Sequence, residues 1–202
     1  MGPPPAPSPG SLDEFEEIAD GTNRRFKAYL IHRGFSDISR LSLVYNLRCA
    51  NIGTYKDRVI IPIYSTSNSL IGWTSRAIGP AKLRYLTSGP AVKRTIYNLP
   101  RLTGGPLLAV TEGPFDALKL DYYGLPATAT FGTSFVPEQA ALIAEVSKRY
   151  NKTVILYDKD ALGQAWSLAD WIPGAIVGGL PDGVKDPGEL SGAQVRDLQG
   201  AY

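Results

Sequence analysis

The 202-residue chain has one cysteine, one histidine and one methionine. A single cysteine (Cys49) excludes an internal disulfide framework and suits a reducing compartment such as the cytoplasm. One Cys and one His (His32) cannot supply the four ligands of a zinc finger or ribbon, so no zinc is expected in this chain. Any metal must then sit on carboxylates and water, the ligand set of Mg²⁺ or Mn²⁺. Long apolar runs are also missing. The longest, such as "RVIIPIY" and "TVILY", fall far short of the roughly 20 residues that span a bilayer, so no membrane partner is expected. The opening "MGPPPAPSPG" lacks a basic region followed by an apolar core and does not read as a secretory signal. G-x-x-x-x-G-K-[ST] is absent, which removes support for a P-loop ATPase or helicase.

Acids are scarce in one part of the chain only. Residues 22–106 hold fourteen Lys/Arg and two acids (Asp37, Asp57), a net of +12. Residues 1–21 carry five acids and no base, and residues 107–202 carry seven bases against twelve acids, a net of −5. A solvated face explains a surplus of about +3 or +4 more easily than it explains +12. A basic part joined to an acidic one points to a polyanion track that leads to a metal site.

Residues 1–21, rich in Pro, Ser, Gly and acids, read as a disordered tail. Residues 22–106 read as a smaller basic α+β subdomain. "RRFKAYLIHRGFS" places Phe26, Tyr29 and Leu30 on one helical face with Gly34 as its stop, and "SDISRLSLVYNL" reads as a second helix capped by Ser36. "KDRVIIPIY" and "LIGWTSRAI" flank the turn-rich "STSNS" as a β-hairpin, with Pro62 suggesting an edge strand. "KLRYLTSGPAVKRTIYNLP" follows, with four bases, two tyrosines and no acid.

Residues 107–202 read as an α/β domain, a parallel sheet flanked by helices. "LLAVTEG", "PATATFG", "KTVILYD" and "GAIVGGLP" are short apolar strands alternating with helices, the first helix opened by Pro114 and closed by Gly124. Ligands of such sheets gather beyond the carboxyl ends of the strands. Acids fall at three of those ends: Glu112, then Asp158 and Asp160, then Asp182 and Asp186. On its own, "YDKDALGQA" is equally a helix cap with a solvated acid. In register with Glu112 and Asp186 it reads as a site where two Asp spaced i, i+2 converge on divalent ions, Glu112 adding a ligand or a base. Gly113 and Gly163 would let backbone and helix starts approach phosphate. Asp116 reads as a first-turn acid opposing the helix dipole, Asp182 equally as loop solvation, and Trp166 and Trp171 as packing residues.

Residues 107 to about 190 resemble the TOPRIM domain shared by bacterial-type primases, topoisomerases and several nucleases. The resemblance rests on "VTEGPFDAL", "ATFGTS", "YDKDALGQA" and "LPDGVKDPGEL", whose Lys-Asp-Pro is typical of the primase branch. The upstream half resembles the N-terminal part of a primase RNA-polymerase core through "YLIHRGFS", "DRVIIPIYSTSNSLIGWTSRAI", "LRYLTSG" and "KRTIYNL". Arg84 stands where that family usually has Lys, Asn98 where it has Gly, and Leu162 where it has Ala.

The resemblance implies a DNA primase catalytic core, a nucleotidyltransferase making short RNA primers on single-stranded DNA in a bacterial or phage-infected cytoplasm. It implies a two-metal Mg²⁺ or Mn²⁺ site, with Glu112, Asp158 and Asp160 catalytic and Asp186 a further ligand. Lys185, Gly113, Arg84 and Lys93 would bind nucleotide. Arg58, Arg76, Lys82, Arg84, Tyr85, Lys93 and Arg94 would form the nucleic-acid track, cations meeting phosphate while rings stack on bases. Implied partners are the DNA template, nucleoside triphosphates, and a replicative helicase or a separate zinc-binding template-recognition module. Two rivals stay open: a TOPRIM nuclease using the same acids with water, and a non-catalytic single-strand-binding replication module.

Overall fold

The computed structural model describes residues 10–19, 21 and 23–202. The change of rhythm near residue 105 is a change of sheet. Five antiparallel strands, neighbours in chain order, build the first: β1 (Glu16–Glu17), β2 (Arg48–Ala50), β3 (Arg58–Tyr64), β4 (Leu70–Ala77) and β5 (Tyr85–Thr87). Between β1 and β2 lie α1 (Arg24–His32) and α2 (Ile38–Tyr45). Helix α1 buries Phe26 and Leu30, one turn apart, and Gly34 ends it at a φ of 83°. Helix α2 is capped by Asp37, whose carboxylate accepts from the Arg40 N–H at 2.9 Å, and not by the expected Ser36. A cap oxygen must reach the third helical N–H, and Ser36 is one residue too early. Its hydroxyl lies 3.1 Å from the Tyr122 hydroxyl instead.

The expected hairpin is β3–β4, but Pro62 does not mark an edge: β3 has neighbours on both sides. Strand β2 pairs only with residues 58–60, so beyond Ile60 that flank of β3 has no ladder for a proline to break.

The second sheet has four parallel strands. In chain order they are β6 (Gly105–Thr111), β7 (Ala127–Ala129), β8 (Tyr150–Ile155) and β9 (Ile176–Val177), arranged in space as β7-β6-β8-β9. The crossovers carry α3 (Pro114–Tyr122), α4 (Pro137–Ser147) and α5 (Leu162–Ala169), and α6 (Gly192–Ala201) follows. Both faces are covered, so the strands alternate between two cores. Leu107 and Ala109 of β6, with Val154 and Leu156, join Phe115 and Leu118 of α3. Leu108, Val110 and Ile155 join Ile143 of α4 and Leu168 of α5. The first of these cores also takes in Phe26, Leu30, Val59, Ile61 and Ile63, so one apolar interior joins the two sheets.

Residues 10–19 correct the expected disordered tail. A short 3₁₀ turn (Leu12–Glu14) leads into β1, which pairs with β2 through Glu16↔Cys49 and Glu17↔Arg48. Ile18 is fully buried in the main core. Phe15 closes a separate cluster with Ala50, Ile60 and Trp73, its ring edge-on to Trp73 at 5.1 Å and to Tyr55 at 5.8 Å. Two apolar side chains among four acids disappear in a compositional average, yet each anchors the arm to a different core. Residues 1–9 and 20, the rest of that expectation, lie outside the described residues. Trp166 is also corrected: α5 turns Ala165 and Leu168 inward and leaves it 60% exposed, while Trp171, beyond the helix, is 51% exposed and lies edge-on to Phe135 at 6.4 Å. Among the described residues no helix is long and apolar enough to cross a membrane.

If the acidic arm is a structural strand, Phe15→Ala should cost about 3 kcal/mol, as large-to-small changes at buried aromatics do. Chemical denaturation of the full chain measures this, and an unchanged midpoint would mean that the arm contributes nothing.

Candidate active site

The parallel sheet places its acids where its topology dictates. Glu112 directly follows β6, Asp158 comes three residues after β8, and Asp186 lies on the loop beyond β9. The three meet around two adjoining cavities. The narrower, of about 200 Å³, is lined by Glu112, Asp116, Asp158 and Asp186 on one side and by Arg76, Arg84 and Tyr85 of the antiparallel sheet on the other. The wider, of about 510 Å³, shares Asp158 and Asp186 and adds Asp160, Lys185 and Arg33.

Local geometry explains why these side chains converge. The Asp158 N–H donates to Glu112 Oε1 at 3.1 Å, linking the ends of the two central strands. Lys185 N–H donates to Glu189 Oε2 at 2.9 Å, which pins the loop carrying Asp186. Gly113 caps α3 without a side chain, because a Cβ there would meet Asp116 Oδ2 and approach the Tyr85 hydroxyl. Gly188 is needed for the same reason, since a Cβ would collide with Asp116 Oδ1 and crowd Arg33 and Asp186. The arginines are held by stacking. Arg33 lies 5.6 Å from the Phe115 ring, and Arg76 lies 5.6 Å from the same ring and 5.0 Å from that of Tyr85.

The acids oppose one another. Burial, then the charges of Asp186 and Asp158, push the Asp116 carboxyl up to about 8. Burial and the Asp158 charge push Glu112 up to about 7, against the pull of the Asp158 N–H. Burial, Asp186 and Asp160 push Asp158 up to about 6. Asp186 Oδ1 is buried with no hydrogen-bond partner, 4.0 Å from Arg33 Nη2. Hard oxygen donors that repel one another, one of them orphaned, have the donor chemistry that fits Mg²⁺ or Mn²⁺. As placed, no three His, Cys, Asp or Glu side chains among the described residues converge closely enough to hold one ion.

No family model matches the chain. A curated DNA primase of Clostridium acetobutylicum is 29% identical over 185 residues, 83% of this chain and 30% of that protein. One from Deinococcus radiodurans is 29% identical over 150 residues, 67% of this chain and 26% of that protein. The chain therefore spans under a third of these relatives' lengths. A DnaG primase catalytic domain bound to single-stranded DNA superposes with a TM-score of 0.75 at 21% identity, over 93% of this chain and 74% of that one. The primase fragment of the bacteriophage T7 primase-helicase gives 0.69 at 17% identity, over 93% and 75%. The fold is that of a TOPRIM primase catalytic core.

On this primase-core fold the expected acids Glu112, Asp158, Asp160 and Asp186 share one edge, joined by Gly113, Lys185, Arg76, Arg84 and Tyr85. Arg58 does not join them. It is 7% exposed and donates to the carbonyls of Leu83 at 2.7 Å and Arg84 at 3.3 Å, so it holds the chain entering β5 and leaves no guanidinium for phosphate. Lys82, Lys93 and Arg94 are exposed but line neither cavity, and a Cβ added at Gly163 would meet nothing, so no close approach depends on that glycine. Asp182 is an exposed loop acid. Two residues were missed. In the sequence Asp116 reads as a first-turn acid opposing the dipole, and its closeness to the strand-end Glu112, four residues before it and outside α3, is the signal that it belongs with the acids. Arg33 stood unassigned inside the "HRGF" segment.

Carboxyls raised in the folded state bind protons more tightly there than when unfolded. Their stabilisation is full below the unfolded values near about 4 and is lost as pH rises through about 6 to 8. In divalent-free buffer, Asp116→Asn should therefore melt higher than the parent at pH 8 and nearly level with it near pH 4. A variant that melts lower at pH 8 would contradict this assignment of the repulsion.

Proposed function

We propose that this chain is the catalytic core of a DNA primase, joining nucleotides into short primers on a single-stranded DNA template. The observation that carries the reading is the narrow cavity in which carboxylates of the parallel sheet face Arg76, Arg84 and Tyr85 of the antiparallel one. One wall suits cation-assisted phosphoryl transfer, and the other suits phosphate and base. The relatives named DNA primase and the DNA-bound structural neighbour support the same reading.

Glu112, Asp158, Asp160 and Asp186 would hold Mg²⁺ or Mn²⁺, which when bound neutralises charge developing on the transferring phosphate. The residues then divide the work. The Asp158–Glu112 hydrogen bond sets the spacing of two strand ends, so the reacting groups are oriented before they meet. Glu112, held beside the Asp158 N–H, is placed to accept the proton of the primer 3′-hydroxyl as that oxygen bonds to the α-phosphate and pyrophosphate leaves. Arg33, Arg84 and Lys185 border the wider cavity, where cations can hold the triphosphate. Arg76 and Tyr85 present a stacked, charged wall to the strand.

Incubation with single-stranded DNA, labelled nucleoside triphosphates and Mg²⁺ or Mn²⁺ tests the proposal. New short oligonucleotides should form and should fall more than about hundredfold in Asp158→Ala. Shortened DNA with no new product would replace synthesis by cleavage. Strand binding indifferent to Asp158 and to metal, with no product, would leave only a binding module.

A further inference from the structure

A separate cavity, of about 280 Å³, opens where the end of α2, the tip of the β3–β4 hairpin and the "YNLPR" segment meet. It lies apart from the acidic edge. From Val59, which pairs with Arg76, to Tyr64 is roughly 17 Å of strand at ~3.4 Å per residue. Its walls are flat: the tyrosines at 64 and 97 and the prolines at 62 and 100.

Its hydrogen-bonding groups are fixed but not all used. Asn98 adopts φ 64°, a left-handed conformation that asparagine tolerates nearly as well as glycine. Its Nδ2 donates to Ala127 O at 3.3 Å, and among the described residues nothing donates to its Oδ1. Tyr97 is 3% exposed, and its hydroxyl likewise makes no hydrogen bond among the described residues. Both residues line the cavity, so a ligand that enters it can pair with these groups. Charge narrows the choice of partner. The Arg101 guanidinium in the lining donates through Nε to Asp121 Oδ2 at 3.3 Å, an oxygen that also accepts from the Tyr45 hydroxyl at 2.7 Å. A guanidinium already neutralised is a weak place for a phosphate.

We propose that this cavity is a nucleobase-binding site, in which the flat walls admit a planar heterocycle while Tyr97 Oη and Asn98 Oδ1 meet its polar edge. The base could belong to a single strand or to a free nucleoside. The inference stands apart from the catalytic reading, because it uses neither the acids nor a metal.

The test titrates the four nucleosides, a short single-stranded oligonucleotide and its abasic counterpart into the full chain, without divalent ions or triphosphates. Calorimetry or amide chemical shifts report binding, and thermal melting confirms folding. At least one probe should bind saturably and weaken about three- to tenfold in Tyr97→Phe and in Asn98→Gly, which keeps the left-handed backbone. Dependence on Tyr97 only with base-bearing oligonucleotide assigns the site to a strand, and dependence with nucleosides alone assigns it to the free ligand. No saturable binding, or binding indifferent to both substitutions, overturns the proposal and leaves the priming assay unaffected.

Discussion

Mutual repulsion among carboxylates at one edge of the parallel sheet is the constraint around which the rest is arranged. A like-charge pair a few ångström apart costs roughly 3–4 kcal/mol at the effective dielectric of a protein surface. Glu112, Asp116 and Asp158 all sit well above the ordinary carboxylate range, Asp116 highest because it is also the most buried. A fold that only needed stability would not gather them. Their cost is tolerable because the apolar interior beneath them is continuous and because the opposite wall brings positive charge.

That opposite wall belongs to the other sheet, so the site exists only when the two sheets dock. Phe115 is the hinge pin of the docking. It is fully buried, it sits beside Asp116 on α3, and both Arg33 and Arg76 lie against its ring. The same aromatic therefore fills the shared core and aims two cations at the acids. Gly113 and Gly188 make the approach possible by having nothing where a Cβ would strike Asp116. Arg58 serves the same assembly differently, spending its guanidinium on two backbone carbonyls so that Arg84 and Tyr85 enter β5 in the right place.

The cavity at the hairpin tip carries different chemistry from the acidic edge. There α2 and the hairpin meet the segment that leads into the parallel sheet, Arg101 is paired with Asp121, and the free groups are a hydroxyl and an amide oxygen. One site is charged and unbalanced, the other neutral and polar. Ligands of the two sites must differ accordingly.

Much of this was legible in the linear chain. Alternation of apolar strands with helices announces the parallel sheet, and the rule that ligands gather at carboxyl strand ends picks out Glu112, Asp158 and Asp186 by position alone. The charge divide near residue 106 marked the change of sheet. What remained hidden depended on contacts between residues far apart in sequence. Arg58 and Arg76 look alike in the chain, and only strand pairing turns one toward backbone carbonyls and the other toward Tyr85. Phe15 and Ile18 vanish in an acidic average because burial is a property of single side chains, not of composition. Asp116 reads as a first-turn acid opposing the helix dipole until Asp186 arrives from seventy residues downstream. Periodicity and strand-end position are local, so the sequence carries them; which charges share a cavity is set by docking, and that only the tertiary structure decides.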